Sequence, residues 1–201
     1  MEIVCLDLEG VLVPEIWIAF AKKVGIPELE RTTRDEPDYA KLMDFRMDIL
    51  RRNNLTLSDI QDTIATIRPL EGAGEFLSKV RSVTQVVILS DTFDQFARPL
   101  MKQLGWPTIL CNTLVVDKGN MLCGMRLRQT DGKRHAVEGF RNMGLRTFAS
   151  GDSYNDLSMI RCADRGCLFR APQKILETEK DVKLCLTYDE LFAEIEDFVR
   201  G

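Results

Sequence analysis

EIVCLDLEGVLVPE, residues 2–15, ends an apolar run on two acids, Asp7 and Glu9, and passes through a glycine into a second apolar run. A short run that is apolar at every position suits a central strand of a parallel sheet, covered on both faces. Packing alone gives such a strand no reason to finish on carboxylates two residues apart. Open α/β sheets bind their ligands beyond the carboxyl ends of the strands.

Working outward, Gln85–Leu89 (QVVIL) and Leu145–Ser150 (LRTFAS) repeat the pattern of Ile3–Leu6. GAGEFLSKV, FDQFARPLMKQLG and KRHAVEGFRNMG carry apolar residues at three- and four-residue spacing, the period of amphipathic helices. Two of them run into a glycine, Gly105 and Gly144, as helix C-termini favour. Thr113–Leu127 reads as a hairpin turning at Lys118, Gly119 and Asn120. Strands alternating with helices predict an α/β fold, a doubly wound, Rossmann-like parallel sheet.

Residues 14–71 break the alternation. PEIWIAFAKKVG, DYAKLMDFRMDILRRN and TLSDIQDTIATI read as three amphipathic helices in a row, the first opened by Pro14 at its first position. The expected division is an α/β core from residues 1–13 and 72–201, with a helical cap, 14–71, inserted above the carboxyl end of the first strand.

Composition narrows the classes of function. The chain has 201 residues, 45% of them hydrophobic, and a net charge of −4. That acidity argues against a nucleic-acid footprint and against an anionic membrane as partners. Cys5, Cys111, Cys123, Cys162, Cys167 and Cys185 form no C-x-x-C pair and read as small buried hydrophobes in a reducing compartment. One histidine, His135, leaves no histidine metal cluster. With no basic leader and no stretch near the ~20 apolar residues of a membrane helix, a cytoplasmic location is expected. Monomer and homodimer both stay open.

The chemistry lies in four places: Asp7 with Glu9, Ser90 in VVILSDTFD, Lys133 in TDGKRHAV, and Asp152, Asn155 and Asp156 in FASGDSYNDLSM. Three of these follow apolar strands directly, so their side chains can converge on one sheet edge. Acids together with a lysine and a hydroxyl suit Mg²⁺ and phosphoryl transfer. A carboxylate can attack phosphorus and form an acyl-phosphate. Taken singly, each piece has a plainer reading. Asp7 with Gly10 could be a strand-ending turn. Ser90 or Asp91 could cap the following helix. Lys133 could be a solvated helix residue. GDSYND could be a turn with a cap. Four such sites in this order, at these strand ends, outweigh the separate readings.

DLEGV, ILSDT, Lys133 and GDSYND resemble the four ordered motifs of the haloacid dehalogenase-like superfamily, across nearly the whole chain. The resemblance implies Asp7 as nucleophile and Glu9 as general acid and base. It maps the second motif to Ser90, the third to Lys133 and the fourth to Asp152 and Asp156. The implied Mg²⁺ ligands are Asp7, the backbone carbonyl of Glu9, and Asp152, with Asp156 in support.

A small helical cap after the first motif is similar to that of the phosphoserine phosphatases. These carry an early cap glutamate, matching Glu15, and a mid-cap arginine, matching Arg46. Arg46 shares a helical face with Leu42, Met43 and Leu50, where a guanidinium needs an anionic partner. Its plainer reading is a packed stem with a head reaching water. The resemblance implies phosphoserine as substrate, with its carboxylate on Arg46, its ammonium on Glu15, and Ser90, Asp91, Thr92, Lys133 and Asn155 around the rest. Two departures stand out. Most of these phosphatases have aspartate at Glu9, and glycines at Asp91 and Thr92. The variant cap together with DLEGV looks most similar to the bifunctional phosphoserine phosphatase/homoserine phosphotransferases, which implies a small-molecule substrate, phosphoserine, with homoserine as a second acceptor. A phosphatase for another small phosphomonoester, and a weakly active Mg²⁺-binding module, are the alternatives.

Overall fold

The computed structural model describes residues 1–32, 35–36 and 38–201. Strands β1 (Glu2–Leu6), β2 (Gln85–Phe93), β3 (Thr108–Val116), β4 (Leu122–Arg126), β5 (Arg146–Gly151), β6 (Arg165–Phe169) and β7 (Lys183–Cys185) form one sheet in the order β4-β3-β2-β1-β5-β6-β7. Only β3 and β4 pair antiparallel. β1 is central, with Val4 against Val86 on one side and Phe148 on the other. The chain winds outward in opposite directions from β1, so a crevice opens beyond its carboxyl end.

Side chains of β1 alternate between two cores. Val4 and Leu6 join Phe76, Ile88, Phe148 and Phe198 on one face. Ile3 and Cys5 join Val87, Leu89, Val137 and Met159 on the other. This period of two is the pleat of a strand covered on both faces. Helices α4 (Ala73–Val83) and α9 (Tyr188–Arg200) contribute to the first face, and α6 (Gly132–Asn142) and α7 (Leu157–Cys162) to the second. Helices α5 (Asp94–Gln103) and α8 (Gln173–Thr178) complete the α/β part.

Between β1 and α4 lie α1 (Ile16–Val24), a 3₁₀ turn (Pro27–Glu30), α2 (Tyr39–Arg52) and α3 (Leu57–Ile64), with no strand among the described residues of 14–71. Asp38 caps α2 by accepting from the N–H groups of Ala40 and Lys41. Thr56 and Asp59 form a capping box on α3. The hairpin of β3 and β4 reaches over to this segment. At its tip Asn120 accepts the Leu57 N–H on its carbonyl and the Ser58 N–H on its side chain, at 2.9 and 2.8 Å. In α9, the Tyr188 ring stacks against Phe76 and Phe169, and its hydroxyl donates to the Val11 carbonyl at 2.6 Å. The last helix therefore anchors the turn that follows Asp7 and Glu9. Among the described residues no helix is long and apolar enough to cross a membrane.

Several expectations are corrected here. Pro14 lies outside α1, whose N-cap is Glu15. α5 begins only at Asp94, so neither Ser90 nor Asp91 is its cap. β2 runs on to Phe93, past the apolar run that announced it. Cys5, Cys167 and Cys185 are buried, but Cys111 and Cys162 are half-buried and Cys123 is exposed, because it lies on an outward face of the edge strand β4. β6, β7 and α7 to α9 carry no strong pattern of their own; α9 is set by its capping box, Thr187 with Glu190.

Candidate active site

The carboxyl ends of β1, β2 and β5 and the start of α6 bring Asp7, Ser90, Asp152 and Lys133 to the same pocket. Lys133 is the second residue of α6 and is buried, not solvated. Its ammonium lies 2.7 Å from Asp156, 3.0 Å from Asp7 and 3.6 Å from Asp91. Burial alone would lower its pKa. Asp156, Asp7 and Asp91 more than reverse this and hold the ammonium well above its ordinary value. Asp7 is pushed well above the usual carboxylate range, by burial and by Asp156, against the pull of Lys133.

Asp156 is fully buried and spent on orientation. One oxygen accepts from Lys133, and the other accepts from the N–H groups of Asp152 and Ser153, both at 3.0 Å. Two glycines make room for the acids. A Cβ on Gly151 would lie 2.1 Å from the Asp156 Cγ, and one on Gly10 would lie 2.3 Å from an Asp152 carboxylate oxygen. Gly10 also has φ +76°, which disfavours any side chain. The glycines of LDLEG and ASGDS are thus fixed by the close approach of the carboxylates.

The helical segment supplies the other wall. Glu15, Trp17, Tyr39 and Arg46 line the same pocket, of about 100 Å³, with Glu9, Asp91, Thr92 and Asn155. Glu9 reaches back to accept the Ile16 N–H at 2.8 Å, so its carboxylate, not the Glu15 side chain, caps α1. Burial first, then the Glu15 carboxylate, push Glu9 up to about 8 against that bond. Arg46 is buried, so its head does not reach water. The guanidinium stacks 4.5 Å from the Trp17 ring centroid and donates to the Arg31 carbonyl at 2.7 Å, while its Nε has no hydrogen-bond partner among the described residues. Burial pulls Arg46 down to about 10, leaving it charged at neutral pH. Asn155 donates to the Asp91 carboxylate at 2.8 Å. Every candidate site residue read from the sequence lines this pocket except Asp156, which is fully buried.

The profile of haloacid dehalogenase-like hydrolases matches residues 14–161. The chain belongs to the haloacid dehalogenase-like hydrolases. Two relatives of this hydrolase are similar over 96% of its length. One, "Phosphoserine phosphatase ThrH" of Pseudomonas aeruginosa, is 53% identical over 194 residues and 95% covered. The other, "Phosphoserine phosphatase" of Pseudomonas syringae pv. tomato, is 52% identical and 82% covered. Among solved structures, a phospho-aspartyl intermediate analogue of phosphoserine phosphatase superposes with a TM-score of 0.75 at 22% identity, covering 92% of each chain. At that identity the likeness bears on the fold alone.

The donor set of this hydrolase suits a hard divalent cation. Asp7, Asp152 and Asp156 each place a carboxylate oxygen within 4.8 Å of the others. Oxygen-only, anionic and adjoining a pocket, the set matches what Mg²⁺ takes. Three residues escaped the sequence reading. In the sequence Trp17 reads as one more apolar position of an amphipathic helix, Tyr39 as part of the next helix, and Asn112 as a residue before a hairpin. Tyr39 and Asn112 both donate to the Asp91 carbonyl, at 3.1 and 3.0 Å. Only the three-dimensional fold brings these partners together, so no local signal marks them.

Proposed function

We propose that this hydrolase releases phosphate from O-phosphoserine through an aspartyl-phosphate on Asp7, with the helices of residues 14–71 as its cap. The observation that carries the reading is one pocket joining the buried Asp7–Lys133 pair to a buried arginine whose Nε is unsatisfied among the described residues. The names of the two relatives agree with it. In this reading Asp7 attacks phosphorus, and Glu9, protonated at neutral pH by its raised pKa, gives its proton to the departing serine oxygen. Glu9 as carboxylate then takes a proton from water, whose oxygen attacks phosphorus and frees Asp7. Lys133 and Ser90 face the phosphoryl oxygens, where fixed charge lowers the barrier. Arg46 takes the substrate carboxylate and Glu15 its ammonium, while Thr92 and Asn155 border the phosphate. Asp7, the Glu9 carbonyl and Asp152 would hold Mg²⁺, with Asp156 fixing Asp152. Bound there, the ion would neutralise phosphoryl charge.

Homoserine in place of water would take the same phosphoryl group onto a second alcohol, the transfer that the resemblance of DLEGV to the bifunctional branch implies. A cytoplasmic home suits six free thiols. The test is ³¹P NMR of phosphoserine with Mg²⁺, with and without homoserine, in wild type and Asp7→Asn. Inorganic phosphate from wild type and none from Asp7→Asn is expected. Near-normal release by Asp7→Asn rules out the aspartyl-phosphate. Release that homoserine does not divert into a new ester removes the transfer and leaves the phosphatase.

A further inference from the structure

Beside the catalytic pocket lies a second, larger cavity of about 510 Å³. Tyr39, Asp91, Lys133, Ser153 and Asn155 line both. The remaining walls of the larger cavity include two half-exposed apolar side chains, Leu127 and Tyr154. Nothing in the phosphoserine reading uses this space.

The boundary between the two is built around Asp91. Its carboxylate accepts from Asn155 at 2.8 Å and lies 3.6 Å from the Lys133 ammonium. Its carbonyl accepts from Tyr39 and from Asn112. The pairing of β2 with β3 shifts register between Leu89 and Phe93, and Asp91 lies in that interval. Four groups, from α2, β3, α6 and the 3₁₀ turn Tyr154–Asp156, therefore hold Asp91 where the two cavities meet, two on its carboxylate and two on its carbonyl.

We propose that Asp91 determines which alcohols the enzyme accepts. With Asn155 it forms a partition that confines the ester to the cavity of about 100 Å³ and shuts out phosphomonoesters with a bulky, flat, apolar alcohol. Removing the partition joins the cavities, and the larger one, with Leu127 and Tyr154 on its wall, takes an aryl group. This rests on the phosphatase reading.

The test compares kcat/KM for phosphoserine, β-glycerophosphate and 4-nitrophenyl phosphate in folded variants, checked by thermal melts. In Asp91→Ala the aryl-to-phosphoserine ratio should rise about tenfold or more over wild type, the scale on which pocket shape discriminates. Asn155→Ala should raise it by opening the same partition from the other side. Asp91→Asn removes the charge but keeps the shape, and should leave the ratio within about twofold of wild type, well inside that discrimination. Leu127→Trp fills the far cavity. Alone it should not change phosphoserine turnover, and combined with Asp91→Ala it should abolish the gain. An unchanged ratio in Asp91→Ala overturns the partition. An equal rise in Asp91→Asn means that charge, not a wall, sets selectivity, and overturns it too. So does a double variant that keeps the full gain. A wild type inert to phosphoserine but active on β-glycerophosphate removes only the phosphoserine reading, and the aryl-to-glycerophosphate ratio then decides the partition.

Discussion

Glu9→Asp shortens the side chain by one methylene, about 1.5 Å of reach. The Glu9 carboxylate meets the Ile16 N–H at 2.8 Å, so the shorter acid falls out of hydrogen-bonding range. Ile16 is fully buried, and its N–H then opens α1 without a partner. Losing a helix cap costs about 1 kcal/mol. For a chain of this size that is a fall of about 2–4 °C in Tm. Glu9→Gln is the opposite perturbation. Its amide oxygen keeps the length and the acceptor, so stability should stay near wild type. Its proton is gone, and turnover should fall about 10²–10⁴-fold. The aspartate variant keeps an acid and should retain more activity than the glutamine variant while melting lower. The assays are calorimetric melting and phosphate release at saturating phosphoserine. If Glu9→Asp melts with wild type, or Glu9→Gln melts lower than Glu9→Asp, the cap on α1 is not what the extra methylene supplies. The same pair bears on transfer, since a shift of ~1.4 kcal/mol between two barriers changes the water-to-homoserine ratio tenfold.

Arg46→Ala should cost phosphoserine about 1.5–3 kcal/mol in kcat/KM, the worth of a hydrogen bond to a charged group, and cost much less for an ester without a carboxylate; equal losses on both would mean Arg46 does not read the carboxylate. Lys133→Met leaves Asp7 and Asp156 without their shared cation and should destabilise the fold by about 3–5 kcal/mol in urea titration, whereas a loss below 1 kcal/mol would show that the lysine is not the structural counter-charge. Gly10→Ala drives a Cβ against Asp152, so millimolar Mg²⁺ should raise the Tm of wild type and not of the variant; equal shifts would place the ion elsewhere.

What was legible in the sequence was what depends on near neighbours. The apolar runs at β1, β2 and β5 announce strands buried on both faces, and the acids and hydroxyl that end them fall at the sheet edge by the geometry of a parallel strand. Leu42, Met43 and Leu50 share a buried face with Arg46, as the helical period requires. What was not legible depends on distant partners. β6 reads RGCLF because Gly166 packs against the Ala149 carbonyl, 2.7 Å from where a Cβ would lie, and nothing in its own stretch announces that contact. Lys133 looks like any surface lysine until α6 turns it onto Asp156. Asp91 looks like a helix cap until β2 outlasts its apolar run by four residues, ending at Phe93.

The bond from Tyr188 to Val11 joins residues 177 positions apart. A ribosome adding roughly 5–20 residues per second needs about 9–35 s to cover that distance. For all of that time the turn after β1 exists without its anchor, and β1 waits as well for β5, its second neighbour in the sheet. β1 is made well before the partners that fix it, and a nascent chain stalled before α9 would carry all four motifs with the first of them untethered.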